Sequence, residues 1–269
     1  MKKMFSEKFE NELKQFEVGL YLKFQKGFDL NFQLFQDLFQ IIDENKEKIK
    51  LNDDFKWVVN FLFLKTYKIY WSILILCKKG LGTEAAVLWR SLFEHTVDLY
   101  WISKDQSIDR AKKFRNYLHI ARKHLYDKYD EYNIFSKIPN ETSQGMETKE
   151  EIKKLYDEVK DDYKDERKWS KKNIREKARN VGLSFDYEFY YWYYSFLVHP
   201  NEISRFDYAT VNQQQFYMGP THFCIRDVLV LSYKILLGSF IKWSEVFNLK
   251  YEDKKKEFLE KLKTIAAKV

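Results

Sequence analysis

An all-α fold, a single large helical domain of about eight to ten helices, is what the sequence predicts, and three observations carry that prediction. Only 8 glycines and 3 prolines punctuate 269 residues, which leaves few turns and favours long helices over a many-stranded sheet. Hydrophobic residues make up 45% and aromatics 18%, so the chain is too apolar to stay disordered. A charged fraction of 32% and a mean hydropathy of -0.56 supply the polar surface that such a core needs.

Helices are expected over 5–26, 28–48, 53–79, 82–104, 107–131, 148–167, 170–180, 184–199, 221–247 and 252–267, and most of the breaks have a cause. "KKGLGTE" supplies two glycines and then Thr83 as an N-cap, with Ala85 opening the next helix. "SKIPNETSQGM", residues 136–146, gathers Pro, Asn, Ser and Gly into a loop. Gly182 and Ser184 set off an aromatic helix that Pro200 ends, and the polar "YATVNQQQFYMGPTH" reads as a long connection. Residues 1–269 are expected to form one domain, with 147–181 as a charged helical excursion from it. Charges crowd residues 149–179, and Ile152, Leu155 and Val159 trace too thin an apolar stripe for a second core.

Several classes of protein are disfavoured. Two cysteines, Cys77 and Cys224, make no disulfide framework and sit in no metal-ligand spacing, so a reducing cytoplasm is the expected compartment. "MKKMFSEKFENELKQF" is charged where a secretory signal needs an apolar core. Residues 58–77 have the length of a membrane span, but Lys65 and Lys68 near the centre would each cost roughly 2.5–3.5 kcal/mol there. A core helix is expected, not a membrane segment. No cofactor is called for: the chain has no Gly-rich phosphate loop, and His222-x-Cys224 and His119 with His124 are isolated pairs, so no metal site is expected.

Two helices carry candidate chemistry. In "EAAVLWRSLFEHTVDLYWI", Arg90, Glu94 and Asp98 recur every fourth residue and so share one stripe, with Ser91 and His95 beside it. Val87, Trp101 and Ile102 also point into that polar sector, which implies a cover. A covered Arg90 needs a carboxylate, and Glu94 one turn away is the natural one. In "YYWYYSFLVHPNEIS", ideal helical geometry puts Ser184, Glu188, Ser195 and His199 on one polar stripe of an otherwise apolar helix, flanked by Tyr191 and Trp192. The stripe can face water or the Arg90–Glu94 stripe. A serine nucleophile would also need an orienting group and an oxyanion site, and no G-x-S-x-G turn is present.

"GLGTEAAVLWRSLFEHTVDLYWI" followed by "YYWYYSFLVHPN" resembles a bacterial domain-of-unknown-function family, numbered fifty-six seventy-seven. The resemblance implies an all-helical fold with an R-x-x-x-E element and an S-x-x-x-H element. On it, Arg90, Glu94, Ser195 and His199 are the candidate catalytic residues, with His95, Asp98, Tyr191 and Glu188 as secondary candidates. Arg90 and His95 also have the spacing of the Arg/His element in the higher-eukaryote-and-prokaryote nucleotide-binding helical ribonucleases, although Ser91 departs from that pattern. This second likeness implies a homodimer with the pair at its interface.

The net charge of +7 is concentrated. Residues 109–128 hold seven Lys or Arg against two Asp. Lys112, Arg115, His119, Arg122 and Lys123 share one sector, with Phe114, Leu118, Ala121 and Leu125 as the expected core stripe opposite. Residues 164–180 add eight basic side chains against three acidic, among them Lys171, Lys172 and Arg175, with Trp169 available to stack. Nucleic acid is the partner such surfaces suit, and the excursion offers a surface for a protein. Besides a small-ligand pocket lined by Tyr191, Trp192 and Trp101, the sequence leaves two readings open. One is an enzyme, a ribonuclease-like effector in defence or stress. The other is a non-catalytic helical module in which Arg90, Glu94, Ser195 and His199 form a buried structural network.

Overall fold

The structure is a computed structural model and describes residues 6–132, 148–163, 165–199, 205 and 219–268. The described residues form an all-helical fold without strands. In chain order the helices are α1 (Glu7–Lys23), α2 (Gln25–Glu44), α3 (Asp54–Lys78), α4 (Gly82–Ser103), α5 (Ile108–Glu131), α6 (Lys149–Val159), α7 (Ile174–Asn180), α8 (Ser184–Asp186), a π-helical turn (Tyr187–Tyr191), α9 (Trp192–Val198), α10 (Ile225–Val246) and α11 (Glu252–Lys268). The predicted loop 136–146 lies outside the described residues, as does most of the predicted connection after Pro200.

Helices α3, α4 and α10 pack against one another to build the core, and α2 and α11 close it along α10. Trp89, Trp243, Tyr70, Phe63, Phe93 and Phe240 are fully buried there. Phe63 and Trp243 stack at 4.5 Å, and the Trp243 indole N–H donates to Asn60 Oδ1 at 3.1 Å, so the large ring is buried without stranding its donor. Helix α3 buries one face, while Lys65 and Lys68 lie exposed beside Phe61 and Leu64. It alone among the described helices is long and apolar enough to cross a membrane.

Local chemistry starts most helices where the sequence indicated. Asp53 caps α3 by accepting from Lys56 N at 2.7 Å, and Ser107 caps α5. Thr148 with Glu151 and Asn173 with Glu176 form reciprocal capping boxes on α6 and α7. One cap differs from expectation. Helix α4 opens at Gly82, with Leu81 in the cap position, and Thr83 is buried inside the first turn. The reason is packing: a Cβ on Gly82 would stand 1.9 Å from the Phe223 carbonyl oxygen, so the glycine is a point of close approach to the segment before α10.

The excursion also departs from prediction. Helix α6 stops at Val159, a single 3-10 turn comes next at Lys160–Asp162, and the chain runs irregularly to Asn173 instead of continuing as helix to 167. Two aromatic anchors break it. Tyr163 is buried against Tyr117 and donates to the Lys113 carbonyl at 2.5 Å, and the Trp169 indole reaches Asp98 on α4. Helix α5 is correspondingly turned from its expected orientation. Leu118, Ala121 and Leu125 are exposed, whereas Ile120 is buried with Val159 and Tyr163 beneath α6. A wheel drawn on α5 alone has no way to include α6 as the covering element.

Candidate functional site

The two candidate helices meet, and the side chain that joins them is Tyr191. Its phenol donates to Glu94 Oε1 and accepts from Arg90 Nη2 at 3.0 Å. The Arg90 guanidinium also lies over the Tyr191 ring, 4.6 Å from its centroid. Burial first, and then the Glu94 carboxylate, push the Tyr191 hydroxyl up to about 12, so the phenol stays protonated and serves Glu94 as a donor. Arg90, Tyr191 and Glu94 are therefore one hydrogen-bonded unit across the α4–α9 interface.

A π-helical turn at Tyr187–Tyr191 makes this contact. An i→i+5 turn takes in one residue more than an α turn and so rotates the downstream residues by about 100° relative to an ideal helix. The predicted stripe of Ser184, Glu188, Ser195 and His199 is broken as a result. Within six residues the chain is held from three directions: Asp186 accepts from Lys234 on α10 at 2.6 Å, Glu188 from Arg175 at 2.8 Å, and Tyr191 engages α4. Glu188 also accepts from Arg179 at 3.2 Å, and these two arginines hold its carboxyl below the usual range.

The remaining candidates fall apart from the Arg90 unit. Ser195 donates to the Tyr191 carbonyl at 2.7 Å, a bond within its own helix. His199 is exposed just past the end of α9, with extended backbone. His95 Nδ1 lies 2.6 Å from the Ser91 carbonyl; a carbonyl only accepts, so that nitrogen carries the proton. Beside the unit, Trp89 Nε1, Arg90 Nε and Tyr194 Oη are buried with no hydrogen-bond partner, although Trp89 and Tyr194 pack edge to face at 5.3 Å.

Asp98, one turn further along α4, belongs to a different cluster. Lys177 of α7 donates to its Oδ1, and the Trp169 indole donates to Oδ2 at 3.2 Å. Burial pushes the Asp98 carboxyl up, against the opposing pull of Lys177. The Lys177 ammonium also lies over the Trp169 ring at 4.8 Å. Trp101 and Ile102, whose inward positions implied a cover on α4, are buried. Neither Lys177 nor Asp186 stands out in the sequence as functional: Lys177 looks like any lysine of a basic run, and its partner lies 79 positions away.

The basic residues of α5 are less available than their sequence spacing implied. Arg115 pairs with Asp54 and lies over Trp57, and Lys123 pairs with Asp127 at 2.6 Å and lies over Tyr156. His119 and Arg122 are half-buried, and Lys112 is exposed. By contrast, Lys171 and Lys172 line a cavity of about 450 Å³ between the end of α4, α5 and the irregular segment before α7. Arg175 lies beyond it, paired with Glu188. Among the described residues, no group of three or more His, Cys, Asp or Glu side chains could hold a metal ion.

Neither a curated protein nor a solved structure matches the chain. A family model described as a family of unknown function (DUF5677) matches residues 56–215, a span that holds α3 to α9 and with them Arg90, Glu94, Asp98, Lys177 and Tyr191. The chain therefore belongs to this family of unknown function.

Proposed function

We propose that the protein is a non-catalytic helical module that binds nucleic acid, and that Arg90, Glu94 and Tyr191 are its structural lock. The observation that carries this reading is the Tyr191 phenol seated between Arg90 and Glu94, accepting from the one and donating to the other. A guanidinium stacked on a tyrosine ring and a carboxylate taken up by its phenol fix helix register well. They leave little with which to hold a phosphate or move a proton. The Ser195 hydroxyl, the candidate nucleophile, is committed to its own helix. Binding then falls to the basic segment around Lys171 and Lys172, which have no carboxylate partner among the described residues and line an aromatic-walled cavity.

An enzyme, the ribonuclease-like reading, keeps one specific observation in its favour. Buried donors at Trp89, Arg90 and Tyr194 lack partners beside the same unit, and unpaired buried polar groups are characteristic of sites that take up a ligand. Arg90→Ala and His199→Ala separate the two readings. On the binding-module reading, Arg90→Ala lowers stability by about 1–3 kcal/mol through the stranded Glu94 and Tyr191, measured by urea unfolding, and His199→Ala leaves RNA affinity unchanged. RNA cleavage by the parent chain that both substitutions abolish, in protein that remains folded, would establish the enzyme instead.

A further inference from the structure

The cavity beside α5 has the composition of a site for one aromatic ring that carries a phosphate. Its walls include Trp101, Tyr163 and Trp169. At about 450 Å³ it falls in the range that holds small ligands. Its cations are Arg110, Lys113, Lys168, Lys171 and Lys172. Arg110 is fixed by the Trp101 carbonyl at 2.7 Å and by Asp105 at 3.7 Å, and Lys168 pairs with Asp165 at 3.2 Å. Among the described residues, Lys113, Lys171 and Lys172 have no carboxylate partner, and Asp162 is the only lining acid without an ion pair. Three unpaired positive charges thus face one unpaired negative charge.

The aromatic rings also hold these cations in place. The Trp101 ring carries the Arg110 guanidinium at 3.8 Å and the Lys172 ammonium at 4.7 Å. Lys172 is steadied further by Asn180 Oδ1 at 3.3 Å, a neutral group that leaves its charge uncompensated. An ammonium held by a ring and an amide is positioned for an anion without being neutralised, so an incoming phosphate gains charge-assisted hydrogen bonds at little ordering cost. A purely inorganic anion would leave the apolar wall unused. A single carboxylate offers three ammonium groups two oxygens and one charge, where a terminal phosphate offers three oxygens and nearly two charges.

We propose that this cavity is a terminal-nucleotide site: it takes a single base against the Tyr163 and Trp169 wall, with that nucleotide's phosphate on Lys113, Lys171 and Lys172. The site rests on the nucleic-acid reading above and adds that the chain recognises a phosphorylated end, not the length of the strand. Stacking tolerates any base, so end chemistry and not sequence sets the preference.

The test uses the full chain with three probes: a 5′-phosphorylated single-stranded oligoribonucleotide, the same oligonucleotide with a 5′-hydroxyl, and a free nucleoside 5′-monophosphate. Tighter binding of the phosphorylated strand, about tenfold for one phosphate on two or three lysines, is expected. Lys171→Ala and Lys172→Met should each reduce that preference and lower the salt dependence by about one counterion. Lys263→Glu, on α11 and remote from the cavity, should leave it unchanged. Thermal melting of each variant establishes that it is folded. Equal affinity for both strands overturns the terminal site and leaves the nucleic-acid reading standing. Binding of the monophosphate alone supports the pocket chemistry, with a free nucleotide as its source, and overturns the nucleic-acid reading. No binding of any probe overturns both.

Discussion

The core of α3, α4 and α10 and the excursion of α6, α7 and the segment between them use the same aromatic residue types in different proportions of ring-on-ring and cation contacts. In the core the rings meet one another: Phe63 on Trp243, Trp89 on Phe93, Phe35 on Tyr67. In the excursion Tyr117 meets Tyr163 and Phe114 meets Trp169, but the rings also take up charges and carbonyls: Lys177 on Trp169, Lys172 on Trp101, Tyr163 on the Lys113 carbonyl, Tyr117 on the Glu166 carbonyl. Its own apolar cluster comprises Ile120, Val159 and Tyr163, with Tyr117 and Tyr156 beside them. The core is thus held by area removed from water, and the excursion by a few directional contacts. A region of the second kind opens and closes at lower free energy, which suits a binding surface and not a scaffold.

The largest expected effect lies in the core. Trp243→Ala removes a fully buried ring that stacks on Phe63 and frees Asn60 of its donor, and it should cost about 3–5 kcal/mol. Urea unfolding should show a lower midpoint with an unchanged slope, and the core and excursion should unfold together. If the excursion kept its hydrogen-exchange protection after the core had lost it, the distinction drawn between them would be reversed.

Next comes the buried pair that ties the excursion to the core. Lys177→Met leaves Asp98 buried with only the Trp169 indole, and should cost about 3 kcal/mol, the low end for breaking such a pair, because the carboxyl can protonate. The pH dependence gives the sign. Asp98 already titrates above the usual carboxylate range through burial, and removing the opposing lysine raises it further. A carboxyl raised in the folded state favours folding at low pH and loses that contribution as pH rises through its folded value. The deficit of the variant should therefore shrink on acidification, read as melting temperature against pH beside the parent chain. A deficit that grows on acidification would mean that Asp98 is not the group left stranded.

How much of the molecule is legible in the sequence depends on the range of each interaction. The helices of the core are readable because capping residues such as Asp53 and Ser107, and the scarcity of glycine and proline, act locally. The Arg90–Glu94 pair is readable for the same reason, being one turn apart on α4. The Tyr191 junction is half legible. Tyr191 itself stands out beside the polar stripe, but a wheel that places Glu188, Ser195 and His199 together assumes uniform α geometry, and the π turn at Tyr187–Tyr191 is selected by partners on three other helices. The orientation of α5 is lost because its covering face depends on α6, whose thin apolar stripe does not say which helix it covers. The basic cavity is visible only as composition: Lys171, Lys172 and Trp169 lie together in the sequence, and Trp101 and Arg110 join them through tertiary packing.

The smallest effect is expected at Glu188, where the comparison can be made finest. Its carboxylate is exposed and holds both Arg175 and Arg179 of α7, so it fastens the same short helix as the buried Lys177, from the solvent side. Arg175 first, and then Arg179, keep the Glu188 carboxyl below the usual range. A carboxyl lowered in the folded state contributes stability above its unfolded value and loses it as pH falls through the folded one. Glu188→Gln should then leave melting near neutral pH almost unchanged, flatten its decline in acid, and reduce its sensitivity to added salt. Measured beside Lys177→Met, both substitutions should flatten the acid limb relative to the parent chain, Lys177→Met from a large deficit at neutral pH that protonation of Asp98 relieves and Glu188→Gln from almost none. A large loss at neutral pH for Lys177→Met beside almost none for Glu188→Gln, at one seven-residue helix, would establish that the excursion is anchored by its buried contact and only trimmed by its exposed one; equal losses at neutral pH would make the solvent-side pair an equal anchor.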